Sequence, residues 1–381
     1  MQSKSMLLLL DNFEQVISAA SLVSELLSVC SKLKILVTSR EALRVSGERL
    51  YLVPPLEVPN LTQLPSPETL SQNAAVKLFV QRAQAVKPDF MISNETAPVV
   101  AEICYRLDGL PLAIELAAAR IKLLPPSAML ARLDVHQHSR LQFLTGGARD
   151  LPARQQTLRN AIAWSYDLLD ENEQKLFQRL SVFVGGCTVE AIEAVAKDHP
   201  AHSSLLNQLE SLLDKSLVRE VEGQNSEPRF VMLGMLREFG LEQLETSGVA
   251  ETIRRCHAEF YLSLAEGAEA SLERTEQIQW MDRMEQEHDN LRAALEWSKI
   301  ADSSGELCLR LAGTLGYFWE VRGHFSEGRE RLSAILAMDV AQGRTAARTK
   351  LLARAAELAY RQSDYAATVA FAEECLEICR E

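Results

Sequence analysis

No apolar run in the 381 residues approaches the roughly 18 that a bilayer span requires. The short Leu run near the start meets Asp11 too soon for a signal peptide. Cysteine is sparse: seven residues, no C-x-x-C pair, and apolar neighbours beside Cys30 and Cys104. This excludes a disulfide scaffold and suggests small buried hydrophobes in a reducing compartment, so we expect no disulfides and a cytoplasmic protein. Positive charge is in deficit. Forty Lys and Arg against 52 Asp and Glu leave a net charge of -12, which argues against general attraction to nucleic acid or anionic lipid. Also lacking is G-x-x-x-x-G-K-[ST], the loop whose backbone amides cradle nucleotide phosphates.

What is present is ordinary globular material, 47% hydrophobic and 24% charged, long enough for two to four domains. Met6 to Leu10 make an apolar run ending in Asp11 and Asn12, and Ile35 to Val37 make a second, ending in Thr38, Ser39 and Arg40. Between them Val16, Ala19, Ala20, Val23, Leu26, Leu27 and Cys30 recur at helical spacing. The pattern predicts strand, crossover helix and parallel strand. Unbroken apolar strands imply burial on both faces, with ligand chemistry just past their carboxyl ends. Asp11 and Arg40 would both sit there. A carboxylate in that place can hold Mg²⁺ and its water, and an arginine at the neighbouring strand end can reach a terminal phosphate. Such an Asp also often does no more than cap the next helix.

After Arg40, Leu50 to Val53 read as a further short strand stopped by Pro54 and Pro55. A linker from Pro59 to Pro67 leads to helices marked by Val76, Phe79, Val80 and Ala83, and by Val99, Val100, Ile103 and Leu107. In GLPLAIELAAARI, Gly109 permits a left-handed turn and Pro111 suits the first turn of a helix. From Leu151 to Gly248 come three helical faces: Leu158, Ile162, Ser165 and Leu169; then Leu176, Phe177 and Leu180; then Leu205, Leu209, Leu212 and Leu213. Two short runs follow, Leu217 to Val221 and Arg229 to Val231, around the polar turn GQNSE. Helices followed by a hairpin suggest a winged helix. Between Leu151 and Thr246 there are nine Lys and Arg against fifteen Asp and Glu, so direct DNA binding is not expected of a domain that would have to neutralise phosphates.

In this order, LLLLDNFEQV, VTSREALRVSGE, ICYRLDGLPLAIELAAARI and RQQTLRNAIAWSYDLLDENEQKLFQRLSVFVGG resemble the bacterial STAND-class signalling ATPases of the NB-ARC type, in their transcriptional-regulator branch. The resemblance implies a mostly α fold. Residues 1-59 would be a truncated parallel α/β remnant of the nucleotide-binding domain without its P-loop, and 60-148 a helical lid domain with the GLPLA motif. Residues 149-248 would be a winged helix, and 249-381 a TPR-like solenoid. The resemblance implies ATP or ADP with Mg²⁺ in the full-length family, and Asp11 and Asn12 as the catalytic Walker B residues, Asp11 holding Mg²⁺ through water. It also implies Arg40 as the γ-phosphate sensor and Pro111 as the adenine contact. Met232, Leu233 and Gly234 align with a Met-His-Asp motif whose histidine contacts ADP in many relatives. Leucine can donate no hydrogen bond, so that latch is not carried over. Asn12 stands where many relatives hold a second acid, which fits a switch or a degenerate ATPase better than a fast one. Without the P-loop, this chain is expected to bind no nucleotide tightly and to be inactive alone.

From about Ala250 the sequence is helical and repetitive. Aligning GHFSEGRERLSAIL from Gly323 with SDYAATVAFAEECL from Ser363 pairs Phe325 with Tyr365, Leu332 with Ala372 and Leu336 with Leu376 at an offset of 40. A tetratricopeptide repeat is about 34 residues, and the insert AQGRTA supplies the surplus. The last helix carries Phe371, Cys375 and Ile378, so further repeats or a protein partner are expected on that face. Tyr317, Phe318 and Trp319 read as repeat core. Cys375 and Cys379 lie one turn apart with nothing to complete a metal set, and His136, His138, His199 and His202 sit in polar stretches and read as solvated. Two functions remain. One is a nucleotide-dependent signalling switch, with protein partners on the repeats and oligomerisation on activation. The other is a nucleotide-independent scaffold that binds proteins through the repeats. Neither involves a membrane.

Overall fold

The computed structural model describes residues 5–134, 140–145, 156–197, 202–223, 227–270, 277–301 and 305–380. His136, His138, His199, the middle of the GQNSE turn and the boundary at 148/149 lie outside the described residues, as does the side chain of His202. The chain divides into two compact units. One holds Met1–Ser181, His199–Glu220 and Met232–Gln243; the other holds Val182–Asp198, Val221–Val231 and Leu244–Glu381.

The first unit begins with β1 (Met6–Leu10) and β2 (Leu33–Val37), paired in parallel with Met6 opposite Leu33 and Leu10 opposite Val37. A 3₁₀ segment, Phe13–Ala19, broken at Val16, precedes α1 (Ala20–Val29). Phe13, Ala20 and Val23 bury themselves against Leu10, Ile35 and Val37. The expected stripe does not stay on one face: Val16, Leu26 and Leu27 are exposed. The 3₁₀ turn winds at three residues rather than 3.6, so the spacing that aligns Val16 with Val23 in an α-helix throws it aside here. Burial on both strand faces is also corrected. Leu7, Leu9 and Leu36 are 64%, 61% and 56% exposed, because among the described residues the sheet has two strands and α1 covers one side. Leu50 to Val53 form no strand, and Tyr51 is 85% exposed. Apolar β-formers become a strand only against a free edge, and none of the described strands pairs with them.

Helices follow: α2 (Pro67–Leu70), α3 (Ala74–Val86), α4 (Thr96–Arg106), α5 (Pro111–Ala118), α6 (Pro126–Asp134) and α7 (Arg140–Phe143). The Asn73 side chain starts α3 by accepting from the amides of Ala75 and Val76. Val76, Phe79, Val100, Ile103, Leu107 and Ile114 are completely buried. Next come α8 (Leu158–Asp167), capped by Thr157, and α9 (Glu171–Leu180), started by a reciprocal capping box between Asp170 and Glu173. α10 (Val189–Val195) belongs to the second unit, and α11 (His202–Asp214) to the first. β3 (Arg219–Glu222) pairs with β4 (Pro228–Val231), and α12 (Gly234–Thr246) follows. The three expected faces are buried as read, apart from a half-buried Leu213.

The second unit continues with α13 (Ala250–Ala270), α14 (Gln277–Gln286), α15 (His288–Ala301), α16 (Glu306–Arg322), α17 (Phe325–Leu336), α18 (Ala346–Arg361) and α19 (Tyr365–Cys379). The starts of α16 and α18 are 40 residues apart, as are those of α17 and α19. Gly323, at φ 79°, turns the chain between α16 and α17. Phe318, Trp319, Leu332, Leu351 and Leu358 fill the core, whereas α19 buries no residue. Helix therefore dominates both units. Among the described residues, no helix is long and apolar enough to cross a membrane.

Candidate functional site

Because β1 and β2 run parallel and in register, the residues after them emerge side by side. Thr38 N–H donates to the Leu10 carbonyl at 2.9 Å, and Phe13 N–H returns a bond to the Thr38 carbonyl at 3.0 Å. Thr38 Oγ1 donates to Asp11 Oδ1 and accepts from Asn12 N–H at 3.1 Å. Asn12 also reaches Asp11 Oδ2 through its own amide, at 3.3 Å. Asn12 takes the left-handed conformation, φ 57° and ψ 46°, which a short polar side chain tolerates better than a long or branched one. The turn thus fixes the Asp11 carboxylate with one hydroxyl and one amide.

Beside it lies a cavity of about 180 Å³ lined by Asn12, Glu14, Thr38, Ser39, Arg40, Ala161 and Trp164. The Arg40 guanidinium stands 4.7 Å from the centroid of the Trp164 ring, a cation–π distance. α8 supplies that ring. Glu14, a residue only 9% exposed, adds an acid to the lining. One cation, two hydroxyls and one acid in a small open hollow suit a phosphoryl group or a hydrated cation better than an apolar ligand. Of the residues singled out from sequence, the structure gathers Asn12 and Arg40 into this hollow and puts Asp11 at its border. Pro111, exposed at the first position of α5, does not line it.

Sequence reasoning missed three participants. Thr38 was visible as a strand-end hydroxyl, but its hold on Asp11 depends on strand register. Trp164 lies more than a hundred residues from Arg40 and carried no signal. Asp108 immediately precedes GLPLA, and that adjacency could have flagged it. Its carboxylate accepts from Met235 N–H at 3.2 Å and so caps the start of α12. Burial pushes the Asp108 carboxyl above its usual range, outweighing the opposing hydrogen bonds from Met235 and Gly234 and the charges of Arg140 and Arg219. Gly234 leaves room here: a Cβ on it would sit 3.1 Å from Asp108 Oδ2, a tight contact that the carboxylate could relieve only by shifting a few tenths of an ångström. Where the resembled motif has an acid, this chain has a glycine that makes room for an acid from elsewhere. Gly109, at φ 65°, is obligatory: a Cβ would lie 2.1 Å from the Leu56 carbonyl oxygen.

The end of α11 is engaged within the same unit. Asp214 pairs with Arg44 at 2.9 Å, and Lys215 pairs with Glu173 at 2.7 Å, with Glu41 3.9 Å away. Between His202 and Asp214 there is no Lys or Arg.

Residues 169–245 match the family described as a winged helix-turn-helix domain. Over 355 residues the chain is 40% identical to "Putative HTH-type transcriptional regulator Rv0890c" of Mycobacterium tuberculosis (strain ATCC 25618 / H37Rv), covering 93% of this chain and 38% of that protein. It is 38% identical over 251 residues to "Uncharacterized protein Rv0894" of the same organism, covering 65% of this chain and 59% of that one. The chain therefore spans well under half the length of the regulator it matches. A solved STAND protein with a tetratricopeptide repeat sensor, from Pyrococcus horikoshii, aligns at 13% identity and a TM-score of 0.25, covering 100% of this chain and 63% of that one, a likeness too low to bear on the fold. The winged helix-turn-helix match lends no support to the charge-based expectation against DNA binding, because many such domains read DNA through their second helix. Residues 169–245 form a winged helix-turn-helix domain, in a chain similar over nearly its whole length to mycobacterial proteins named as putative HTH-type transcriptional regulators.

Proposed function

We propose that this chain is part of a transcriptional regulator of the STAND type, a nucleotide switch in which the strand-end hollow takes the outer edge of ATP. The observation that carries the reading is the parallel register of β1 and β2, which places Asp11, Thr38, Ser39 and Arg40 at adjoining strand ends. In this reading Arg40 meets the γ-phosphate and Asp11, held by Thr38, keeps Mg²⁺ through a water. Those residues suit one edge of the ligand only. The 381 residues contain no P-loop, and Leu233 offers no hydrogen bond to a phosphate. The adenine contact of Pro111 and the remaining phosphate contacts belong to the same proposal and rest on the resemblance of the motifs. The winged helix acts inside the molecule, a role supported by the ion pairs at the end of α11 and by the absence of basic residues along it. The repeats receive the signal as a protein-binding surface, and activation proceeds through oligomers.

Because the amides and lysine of the missing loop make most phosphate contacts, this chain by itself should bind ATP and ADP no tighter than about millimolar, roughly -4 kcal/mol. Titration calorimetry with and without Mg²⁺ reads this directly, and micromolar Mg²⁺-dependent binding would overturn it. In a longer form of the protein that carries a P-loop, binding should appear and Arg40→Ala should weaken ATP more than ADP. One observation favours a second reading, a nucleotide-independent scaffold: the Glu14 carboxylate lines the same hollow and would repel a phosphate. Failure of the longer form to bind nucleotide would select that reading.

A further inference from the structure

We propose that Glu285, His288 and His324 form a site for a first-row transition cation of the Zn²⁺ class. Glu285 lies in the last turn of α14, His288 begins α15, and His324 sits in the turn between α16 and α17. All three belong to the second unit, away from the strand-end hollow in sequence and in unit. One ligand atom from each lies within 4.8 Å of the others, the one such group of three or more found among the described residues. His324 Nε2 and Glu285 Oε1 are 3.3 Å apart. Ligands 2.0–2.1 Å from a tetrahedral metal stand about 3.3 Å from one another, so the set needs to close by no more than about 1.5 Å. Two of the three can move to do so. Glu285 and His324 keep 43% and 32% of their side chains exposed, whereas His288 is buried.

The surroundings define the ligand chemistry. Trp319 Nε1–H donates to His288 Nε2 at 3.2 Å, so that nitrogen carries a lone pair and the ring is neutral, as a metal ligand must be. Glu327 lies 3.9 Å from the same nitrogen but is held by Arg292 and Arg331, which leaves the fourth position to water. A metal must displace two neighbours: the Trp319 N–H from the His288 lone pair, and Arg322, whose Nε stands 3.7 Å from Glu285 Oε2 and which also pairs with Asp282. Two imidazoles and a carboxylate favour Zn²⁺, Co²⁺ or Ni²⁺ over Mg²⁺ or Ca²⁺. The bound ion would tie the α14–α15 pair to the α16–α17 turn and so stiffen the repeats.

The test uses the whole chain, stripped with chelator and titrated with ZnCl₂ by calorimetry. The expected result is one site of micromolar affinity or better, with a change in tryptophan fluorescence as Trp319 loses its acceptor. Co²⁺ should give a tetrahedral visible spectrum without a thiolate band. His324→Ala, at a half-buried position, and Glu285→Gln, at an exposed one, should each weaken binding about tenfold or more. The proposal is overturned if no site fills by about 100 μM Zn²⁺, if binding survives both substitutions, or if it is lost in Cys375→Ser and Cys379→Ser instead.

Discussion

The α/β segment at the start of the chain and the helical pairs at its end are equally apolar in sequence, and they fare differently in three dimensions. In α16 and α18, Trp319, Leu311, Leu351 and Leu358 are fully buried, because each helix meets neighbours on more than one side. In β1 and β2, alternate leucines face outward, since one helix can cover only one face of a two-stranded sheet. An isolated strand pair is marginal on its own. Burial thus depends on how many neighbours an element has, and composition does not set that number.

Hydrogen exchange should show the widest gap. Amides from Met6 to Val53 should exchange through local openings of almost no cost, while those around Leu311 should need near-global unfolding, a difference on the order of a thousandfold or more. Limited proteolysis should cut first near the Pro59 to Pro67 linker. Equal protection at Leu7 to Leu10 and at Leu311 would break the comparison. Side-chain truncation should follow the same division. Trp319→Ala should cost about 3–5 kcal/mol in urea unfolding, whereas Leu9→Ala should stay within about 0.5 kcal/mol. A comparable loss at Leu9 would mean that the outer sheet face is covered in solution.

Charge sharpens the contrast at a smaller scale. Burial alone would raise the Glu327 carboxyl, but hydrogen bonds from Arg292 and Arg331 outweigh it and bring its pKa down to about 2. A folded pKa below the unfolded one stabilises above the unfolded value, and that contribution fades as pH falls through about 4.5 towards 2. Glu327→Gln should therefore cost about 1–3 kcal/mol at pH 7 and almost nothing near pH 2. A pH-independent loss would point to packing. Small as well should be the effect of Arg40→Ala, whose exposed stacking on Trp164 is worth about 0.5–1 kcal/mol. A loss of 3 kcal/mol or more would make Arg40 a structural buried-pair residue and count against its role as a phosphate sensor.

Much of this was legible beforehand because it rests on local periodicity. The faces of Leu158 to Leu169 and Leu176 to Leu180, the hairpin around β3 and β4, and the forty-residue offset from Phe325 to Tyr365 all follow from spacing along one element. Leu50 to Val53 failed for the opposite reason: β-propensity is a capacity to pair, and pairing is decided by what lies alongside. The Val16 break failed because a change from α to 3₁₀ winding leaves no mark in apolar spacing. At the candidate site, Asp11 and Arg40 could be named from the strands they follow. Thr38 on Asp11, Trp164 under Arg40 and Asp108 on α12 could not, since each joins residues that only the folded chain brings together.

The sequence by itself determined the order of most helices and strands, the apolar faces of the helices between Leu158 and Leu212, and that the two strand ends carry an acid and an arginine. These depend on capping groups and on residues within one or two turns of each other, whose interactions are set by backbone geometry. Tertiary structure alone decided which apolar faces are covered, why Gly109 must lack a side chain, and that Glu285, His288 and His324 meet. Those outcomes depend on packing between segments tens to more than a hundred residues apart, where a shift of a few ångströms separates contact from none.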